Sequence, residues 1–195
     1  MVKNYYIALI MVLAAFGFAS CSVETDEEPG GTAVEKMAGT WTVTFQQSVA
    51  EYNYLYEGGA DPGLASMTPD QLDKQEWEDI EGNGKLTVMT SNTAANVPTE
   101  MWFVDNAYQG SSTAPVKVRC TVDYNARTFS AAAQKQTDGS TVDVVGGKVL
   151  EGAATTPRGV KADSIVAYVK YSAQPNKFTY IKMSGYRYTG YAADR

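Results

Sequence analysis

The chain has 195 residues, with 16 basic and 22 acidic side chains, a formal net charge of −6 and no histidine. The absence of histidine excludes a Ser-His-Asp triad, a Cys-His pair and metal sites built on imidazole. Net acidity without a cluster of basic residues argues against nucleic acid as a partner. A chain of this length is expected to form a single main domain.

Residues 1–20 have the pattern of a cleavable secretory signal peptide. Residues 1–4 form a short N-terminal region with one basic residue, Lys3, and residues 5–18 carry no charged side chain. This run is too short for a transmembrane helix, which needs roughly 20 apolar residues. It ends in Phe-Ala-Ser-Cys, which resembles the lipobox of bacterial lipoproteins and implies that Cys21 becomes the lipidated first residue. The alternatives are a plain secretory signal or an uncleaved anchor in which Cys21 has no role.

Residues 21–32 predict a flexible, lipidated tether. The segment contains four acidic residues and no basic one, followed by Pro29, Gly30 and Gly31. Like charges and glycines bury too little apolar area to become ordered. An acidic patch directly after the lipidated cysteine also resembles the signal that exports some Gram-negative lipoproteins to the outer face of the outer membrane. We therefore expect an outer-membrane lipoprotein of the cell envelope, exposed at the cell surface.

Residues 33–195 are predicted to form one all-β domain. Alternating apolar and polar residues, separated by turn sequences, indicate eight strands, at 40–45, 85–90, 101–104, 116–124, from 128, 141–145, 164–171 and 178–188. Short turns connect them, among them Gly82-Asn83-Gly84, Asp138-Gly139 and Gln174-Pro175-Asn176. Eight strands joined in this way favour an antiparallel up-and-down barrel, which leaves no exposed sheet edge.

The clearest of these strands is 116–124, where Val118, Cys120 and Val122 alternate with polar residues. Cys120 is therefore predicted to point inward as a small apolar side chain, without the exposed, electropositive surroundings of a nucleophile. With Cys21 acylated, Cys120 is the one thiol left, so the chain forms no internal disulfide.

One long helix is predicted, at 68–80, lying against the side or end of the barrel. Thr68 suits the N-cap, Pro69 the first helical position, and Gln71 completes a capping box. Six carboxylates crowd the same segment, namely Asp70, Asp73, Glu76, Glu78, Asp79 and Glu81. Two suitably spaced carboxylates can hydrolyse glycosides, but a solvated acidic helix face needs no such role. Their spacing is not that of a calcium loop, and no metal site is predicted.

Aromatic residues supply the candidates for a ligand site. An eight-stranded barrel is either filled by side chains or just wide enough for one small ligand. The rings that could line such a site belong to Tyr52, Tyr54, Tyr56, Trp102, Phe103 and Tyr108. The alternative is that these amphipathic rings pack in the core or on the surface, as is common in strands.

The two ends of the domain resemble those of a known family. Ala-Gly-Thr-Trp-Thr-Val-Thr-Phe at 38–45 and Ser-Gly-Tyr-Arg-Tyr-Thr-Gly-Tyr at 184–191 are similar to the ends of calycin-type, lipocalin-like barrels. Together with Ala-Asp-Ser-Ile at 162–165, they resemble more specifically the lipocalin-like lipoproteins called lipid-binding putative hydrolases. The resemblance implies a structural pair that closes the barrel, with the Arg187 guanidinium stacked on the Trp41 indole. Because apolar residues of the last strand change sides, we also expect a bulge at Gly185.

Two classes of function follow from these observations. The preferred one is a non-catalytic lipoprotein, held to the membrane by its N-terminal lipid, whose barrel binds a small hydrophobic, lipid-like molecule. The alternative is a carboxylate-dependent hydrolase at the cell surface, or an accessory subunit that contacts another envelope protein. No Gly-x-Ser-x-Gly elbow and no cofactor motif is present, so we expect no cofactor.

Overall fold

Eight antiparallel strands close into a barrel. The computed structural model describes residues 31–111, 113–173 and 177–194. Within them the strands are β1 (Gly39–Ser48), β2 (Trp77–Glu78), β3 (Lys85–Asn92), β4 (Glu100–Asp105), β5 (Val116–Asp123), β6 (Thr128–Lys135), β7 (Thr141–Thr155), β8 (Lys161–Tyr171) and β9 (Ile181–Arg187). Strand β1 pairs with β3, each later strand pairs with the next, and β9 pairs back onto β1. The predicted up-and-down barrel is confirmed; the added two-residue strand β2 extends the sheet from the end of β1.

The helices differ from the prediction. Helix α1 (Val49–Tyr56) follows β1 directly and was not predicted. It begins where the Ser48 hydroxyl accepts a hydrogen bond from the backbone N–H of Glu51, at 3.3 Å. The helix predicted at 68–80 is wrong, because only one turn forms, α2 (Pro69–Leu72). The reciprocal half of its predicted capping box is present, since the Gln71 side chain accepts from the Thr68 N–H at 2.8 Å.

Tertiary burial explains why this helix stops. Residues 57–80, which we call the strap, cross the outer face of the barrel and bury Leu64, Leu72 and Trp77 against Tyr168. Tyr168 points out of the barrel yet is fully buried under the strap. The chain beyond α2 then runs as β2, whose Trp77 pairs with Ser48 of β1. Apolar burial and strand pairing therefore outweigh helix propensity here.

The barrel interior is filled by side chains from all eight of its strands. Its largest fully buried members include Trp41, Phe45, Met101, Phe103, Ile165, Ile181 and Met183. Cys120 is also fully buried, as predicted, and burial raises the pKa of its thiol to about 12. Residues 31–195 form one compact unit with its own hydrophobic core. A segment with its own core is expected to fold independently.

Core residues that lie largely outside the strands close both ends of the barrel. At the end where β1 begins, the turn at 33–37 places Val34 and Met37 in the core, fully buried. At the end where β1 finishes, the Tyr108 ring stacks on Phe45 with ring centres 4.4 Å apart. Phe178, just before β9, adds a further buried ring to the same core.

The predicted bulge at Gly185 is wrong. Gly185 pairs in continuous register with Val43 on one side and Ile165 on the other. A Cβ at this position would lie 2.0 Å from the carbonyl oxygen of Thr42, so the glycine permits close approach of β1. The apparent change of side disappears because β9 starts only at Ile181. The irregular pairing lies on both sides of β7, which shifts register twice against β6 and twice against β8.

Two predicted segments lie outside the described residues. These are the signal peptide with nearly all of the tether, and the turn Gln174-Pro175-Asn176.

Candidate functional site

Trp41 and Arg187 meet at the junction of the first and last barrel strands. They are register partners on β1 and β9, and the guanidinium carbon lies 4.6 Å from the centre of the indole ring. Arg187 also donates to the backbone carbonyls of Lys36, at 2.8 Å, and Ala38, and forms an ion pair with Asp163 at 3.2 Å. The guanidinium therefore ties the chain entering β1 to the end of β9, and its hydrogen bonds are all to the protein itself.

The six aromatic ligand candidates are not brought into one site. Phe103 lies fully buried in the core, and Tyr108 is stacked on Phe45. Trp102 alternates with Phe103 on β4 and so points away from the core. Tyr52, Tyr54 and Tyr56 all lie on α1, outside the barrel interior.

The α1 tyrosines form part of a cap over one barrel end. Tyr52 packs against the core and its ring centre lies 5.1 Å from that of Tyr56, which in turn lies 6.4 Å from Phe178. Tyr54 and Tyr56 are exposed to 43% and 55%. These two rings are therefore directed largely toward solvent and do not line the barrel interior.

A fully hydrogen-bonded carboxylate lies at the end of β4. Asp105 is completely buried and accepts hydrogen bonds from the backbone N–H groups of Ala107, Tyr108 and Gln109 at 2.8–2.9 Å. The Tyr171 hydroxyl donates to it at 3.0 Å. Burial and the Asp105 charge raise the pKa of Tyr171 well above its ordinary value, so this hydroxyl stays protonated. The arrangement stabilises the loop after β4.

The carboxylates predicted to share a helix face are dispersed instead. Asp79 accepts from the N–H groups of Asn83 and Gly84, and Glu81 accepts from the Tyr108 hydroxyl at 2.8 Å. Glu78 lies in β2, and only Asp70 belongs to α2. The segment therefore caps turns and ties loops together.

Asp73, at the end of α2, fastens the strap to the barrel. It contacts the Lys148 ammonium at 2.7 Å and accepts from the Tyr168 hydroxyl at 2.5 Å. Partial burial would raise the pKa of Asp73, but these two hydrogen bonds hold it below its ordinary value. Burial and the Asp73 carboxylate together raise the pKa of Tyr168. A carboxylate held ionised beside a hydroxyl held protonated suits a structural tie better than acid–base chemistry.

A groove of about 500 Å³ with a mainly apolar lining lies on the outer wall, beside α2. We call it the wall groove. Its lining includes Val122 and Phe129, two residues of the core, together with Pro69, Gly146 and Gly147. A neighbouring pocket of about 490 Å³ shares Val122 and Asp123 with the wall groove and continues along residues 98–99 and 124–125. Polar groups surround the mouth of the wall groove, namely Asp70, Thr121, Asp123, Thr128, Ser130 and Lys148. An apolar lining with a polar rim, at this volume, fits a small amphiphilic ligand.

Two glycines of β7 create the groove. A Cβ on Gly147 would lie 2.5 Å from ring carbons of Phe129, and one on Gly146 would lie 2.8 Å from Pro69. Gly146 also has a φ of +60°, in the left-handed region that favours glycine. Sequence analysis missed this site. The available signal was a Gly-Gly pair inside a valine-rich strand, which is typical of a bulge or a close backbone approach.

Beside the groove, the barrel wall is incompletely paired. Residues 121–123 of β5 pair with 128–130 of β6, and the described residues hold no further backbone pair between these strands. We call the stretch between 116–120 and 131–136 the seam. A smaller pocket of about 190 Å³ lies across β5 at this point, lined by Thr99, Glu100, Arg119, Cys120, Thr121 and Gln134, so that it reaches from the start of β4 to β6. Thr121 lines both the wall groove and this pocket, so the two are adjacent.

At the far end of the seam, a side chain takes the place of a backbone partner. The Gln136 amide oxygen accepts from the Lys117 N–H at 3.2 Å, and its nitrogen donates to the Lys117 carbonyl at 3.1 Å. The same nitrogen lies 3.2 Å from the carbonyl of Gln134. One amide side chain therefore bridges β5 and the end of β6.

Two further features of the described residues concern metal-binding groups and membrane-spanning helices. No three or more histidine, cysteine, aspartate or glutamate side chains are grouped for metal binding within 31–111, 113–173 and 177–194. No helix of this described part has both the length and the apolar character needed to cross a bilayer.

Comparison with known families adds the remaining observation. A model of the family described as lipid-binding putative hydrolase matches residues 26–192. The chain belongs to the lipid-binding putative hydrolase family. The resemblance inferred from the barrel ends is thereby confirmed, and the match includes the wall groove and the seam. Comparison with curated proteins gives no match. The family description and the closed barrel together support lipid binding.

Proposed function

We propose that this protein is an outer-membrane lipoprotein, anchored through Cys21, whose barrel binds a small lipid-like molecule without catalysing a reaction. The observation that carries the binding part is the family match over a closed barrel with an apolar groove in its wall. A lipid offers an apolar chain for Val122 and Phe129 and a polar head for the rim of the wall groove.

The state of the polar side chains supports the non-catalytic part. The ionised Asp73 and the protonated Tyr168 are held by each other and by Lys148. Cys120 is buried with a raised pKa, whereas a nucleophilic thiol needs a lowered one. These groups are therefore poor candidates for the acid, base or nucleophile of a hydrolase.

The anchoring part is supported by the sequence around Cys21. A short apolar run that ends at a cysteine and precedes an acidic, glycine-containing segment suits lipid attachment and a tether. Each buried methylene of an attached chain contributes about 0.8 kcal/mol, so two or more chains hold a protein on a membrane stably.

Binding is tested on the unit 31–195 with cis-parinaric acid, a fluorescent fatty acid whose emission rises in apolar surroundings. We expect saturable binding, and an apolar molecule released by organic extraction of the purified unit. In Ser130→Trp the indole fills the wall groove and weakens binding about tenfold or more. The matched control is Ser91→Trp, at an exposed position of β3 outside the groove lining and away from the β5–β6 edge, which keeps wild-type affinity. Absence of parinarate binding in the wild type would refute the binding proposal.

Anchoring is tested in cells with an alkyne-labelled fatty acid. The label is expected in the wild type and in Cys120→Ala, and to be absent from Cys21→Ala. Fractionation of the same cells should place the labelled protein in the outer membrane, and protease added to intact cells should degrade it if it faces outward. Incorporation of label into Cys21→Ala would contradict lipidation at this residue.

A further inference from the structure

An apolar ligand that reaches the barrel core cannot enter through either described end without displacing packed groups. Val34 and Met37 fill one end, and the Phe45–Tyr108 stack covers the other. Around the wall, most neighbouring strands are joined along much of their length; β4 and β5, for example, share six register pairs. Entry is therefore easiest where the wall is least paired.

The seam is that place. β5 and β6 share three register pairs, all at the end next to the wall groove. Strand β6 is itself irregular, with register shifts after Phe129 and Ala131 and a φ of +46° at Ala133, a conformation that alanine rarely adopts. Each missing backbone pair lowers the free energy needed to separate the two strands.

The core side chains behind the seam are small or flexible. The pocket in the seam reaches Cys120, whose register partner on β4 is Met101. Both are fully buried in the core, and the small Ala131 packs beside that core from β6. Methionine adapts its shape more readily than branched or aromatic residues, and cysteine is small. A narrow chain can be accommodated here with less repacking than beside the large rings of β1.

We infer that the seam between β5 and β6 is the route by which a single unbranched acyl chain passes from the wall groove into the barrel core, with Gln136 as its latch. This inference rests on the proposed function and gives it a ligand class. The polar head stays at the rim beside Thr121, which lines both pockets. Only a narrow chain fits between two strands that separate without leaving the sheet.

Gln136 acts as a latch because its amide makes the bridging hydrogen bonds to Lys117. Breaking them frees β5 from the end of β6, while the three register pairs near the groove act as a hinge. The latch side chain makes its hydrogen bonds to backbone groups only, so removing it leaves the core composition unchanged.

The first test uses the thiol of Cys120 as a reporter, since it is the one cysteine of residues 31–195. N-ethylmaleimide modifies a fully buried thiol only after the structure opens. We expect labelling to be faster than global unfolding allows and to depend weakly on urea, because seam opening exposes little surface. Labelling with the full urea dependence of global unfolding would overturn the inference.

The second test compares latch variants for Cys120 labelling and for the association rate of cis-parinaric acid. Loss of the Gln136 hydrogen bonds in Gln136→Ala should raise both rates about threefold to tenfold. Gln136→Glu keeps the acceptor for the Lys117 N–H but loses the donated bonds, so an intermediate rate is expected. Gln75→Ala, which removes a half-buried amide on the strap whose hydrogen bond is to Gln71, is the control and should change neither rate.

The outcomes separate the inference from the proposed function. If parinarate binds equally fast to the wild type and to Gln136→Ala, binding stands and the seam route is refuted. If parinarate binds to none of the proteins, the proposed function fails and the route fails with it. Parallel increases in labelling and association support the seam as the route.

Discussion

The Arg187 guanidinium lies 4.6 Å from the centre of the Trp41 ring, and the two residues face each other across β9 and β1. The Trp41 indole N–H donates to the Thr90 hydroxyl at 2.7 Å, and that hydroxyl donates to the carbonyl of Met37 at 2.6 Å. The closing pair is thus connected through hydrogen bonds to the turn that fills this end of the barrel.

We expect Arg187→Lys to lower the free energy of unfolding by about 2 kcal/mol, measured by urea denaturation. A lysine ammonium keeps the charge but cannot serve the Lys36 and Ala38 carbonyls and the Asp163 carboxylate at once. The control is Arg119→Lys. Arg119 is largely exposed and forms a 3.9 Å ion pair with Glu100, so this substitution should change the free energy of unfolding by less than about 0.5 kcal/mol. Equal losses in the two variants would show that the closing contacts do not stabilise the barrel.

Asp73→Asn should lower the free energy of unfolding at neutral pH by about 1 kcal/mol, because both the Lys148 ion pair and a charged hydrogen bond to Tyr168 are weakened. The folded-state pKa of Asp73 lies below 3.8, so its contribution is present above that pH and is lost as pH falls through the folded-state pKa. Urea unfolding should therefore show the two proteins converging in acid. Glu76→Gln, on the same strap, is the control and should leave the free energy of unfolding close to that of the wild type. If the difference between Asp73→Asn and the wild type stayed the same in acid, the Asp73–Lys148 ion pair would not be its cause.

Glu51 should produce the opposite pH dependence. One of its oxygens accepts from the backbone and hydroxyl of Thr179, and the other is buried with no hydrogen-bond partner among the described residues. Burial raises the folded-state pKa above 4.5. The group therefore stabilises the fold fully below pH 4.5, and this contribution is lost as pH rises through the folded-state pKa.

We expect Glu51→Gln to remove this loss, because an amide does not titrate. Thermal unfolding followed from acidic to neutral pH measures the effect as a difference in slope between the variant and the wild type. Glu57→Gln, after the exposed end of α1, should keep the wild-type slope. Identical slopes for Glu51→Gln and the wild type would show that Glu51 does not carry the dependence.

Gly147→Ala should destabilise the protein by about 1–3 kcal/mol, since overpacking forces neighbouring groups to move. The new Cβ would lie 2.5 Å from ring carbons of Phe129 and 2.6 Å from its backbone carbonyl oxygen. Ala132→Ser, at an exposed position of β6, is expected to stay within about 0.5 kcal/mol of the wild type in urea denaturation. A neutral Gly147→Ala would mean that the wall tolerates a side chain and that the groove does not depend on glycine.

The parts of the fold that follow from local pattern were predictable. Val118, Cys120 and Val122 alternate with polar residues, so β5 and its buried face could be located from the sequence. Turn sequences such as Asp138-Gly139 separated the strands and so fixed their up-and-down order. Strand ends were less well predicted, since β7 extends to Thr155, ten residues beyond its predicted end at Val145.

The candidate site was not predictable in the same way. The aromatic residues chosen as ligand contacts were selected for side-chain type, but their positions depend on which face or helix carries them; Phe103 became core while Tyr54 became exposed. The wall groove depends on Gly146 and Gly147, whose role appears only when Phe129 and Pro69 are brought against them.

The sequence by itself determined that this is an all-β barrel closed by its first and last strands, because alternation, turns and end motifs are local properties of the chain. The tertiary structure decided that the strap is not a long helix, that the carboxylates are dispersed and that the wall has a groove and a seam. These depend on contacts such as that between Asp73 and Tyr168, which are 95 residues apart, and on one missing stretch of strand pairing. The free energy of such distant contacts is not encoded in any local pattern, so only the folded chain reveals which of them form.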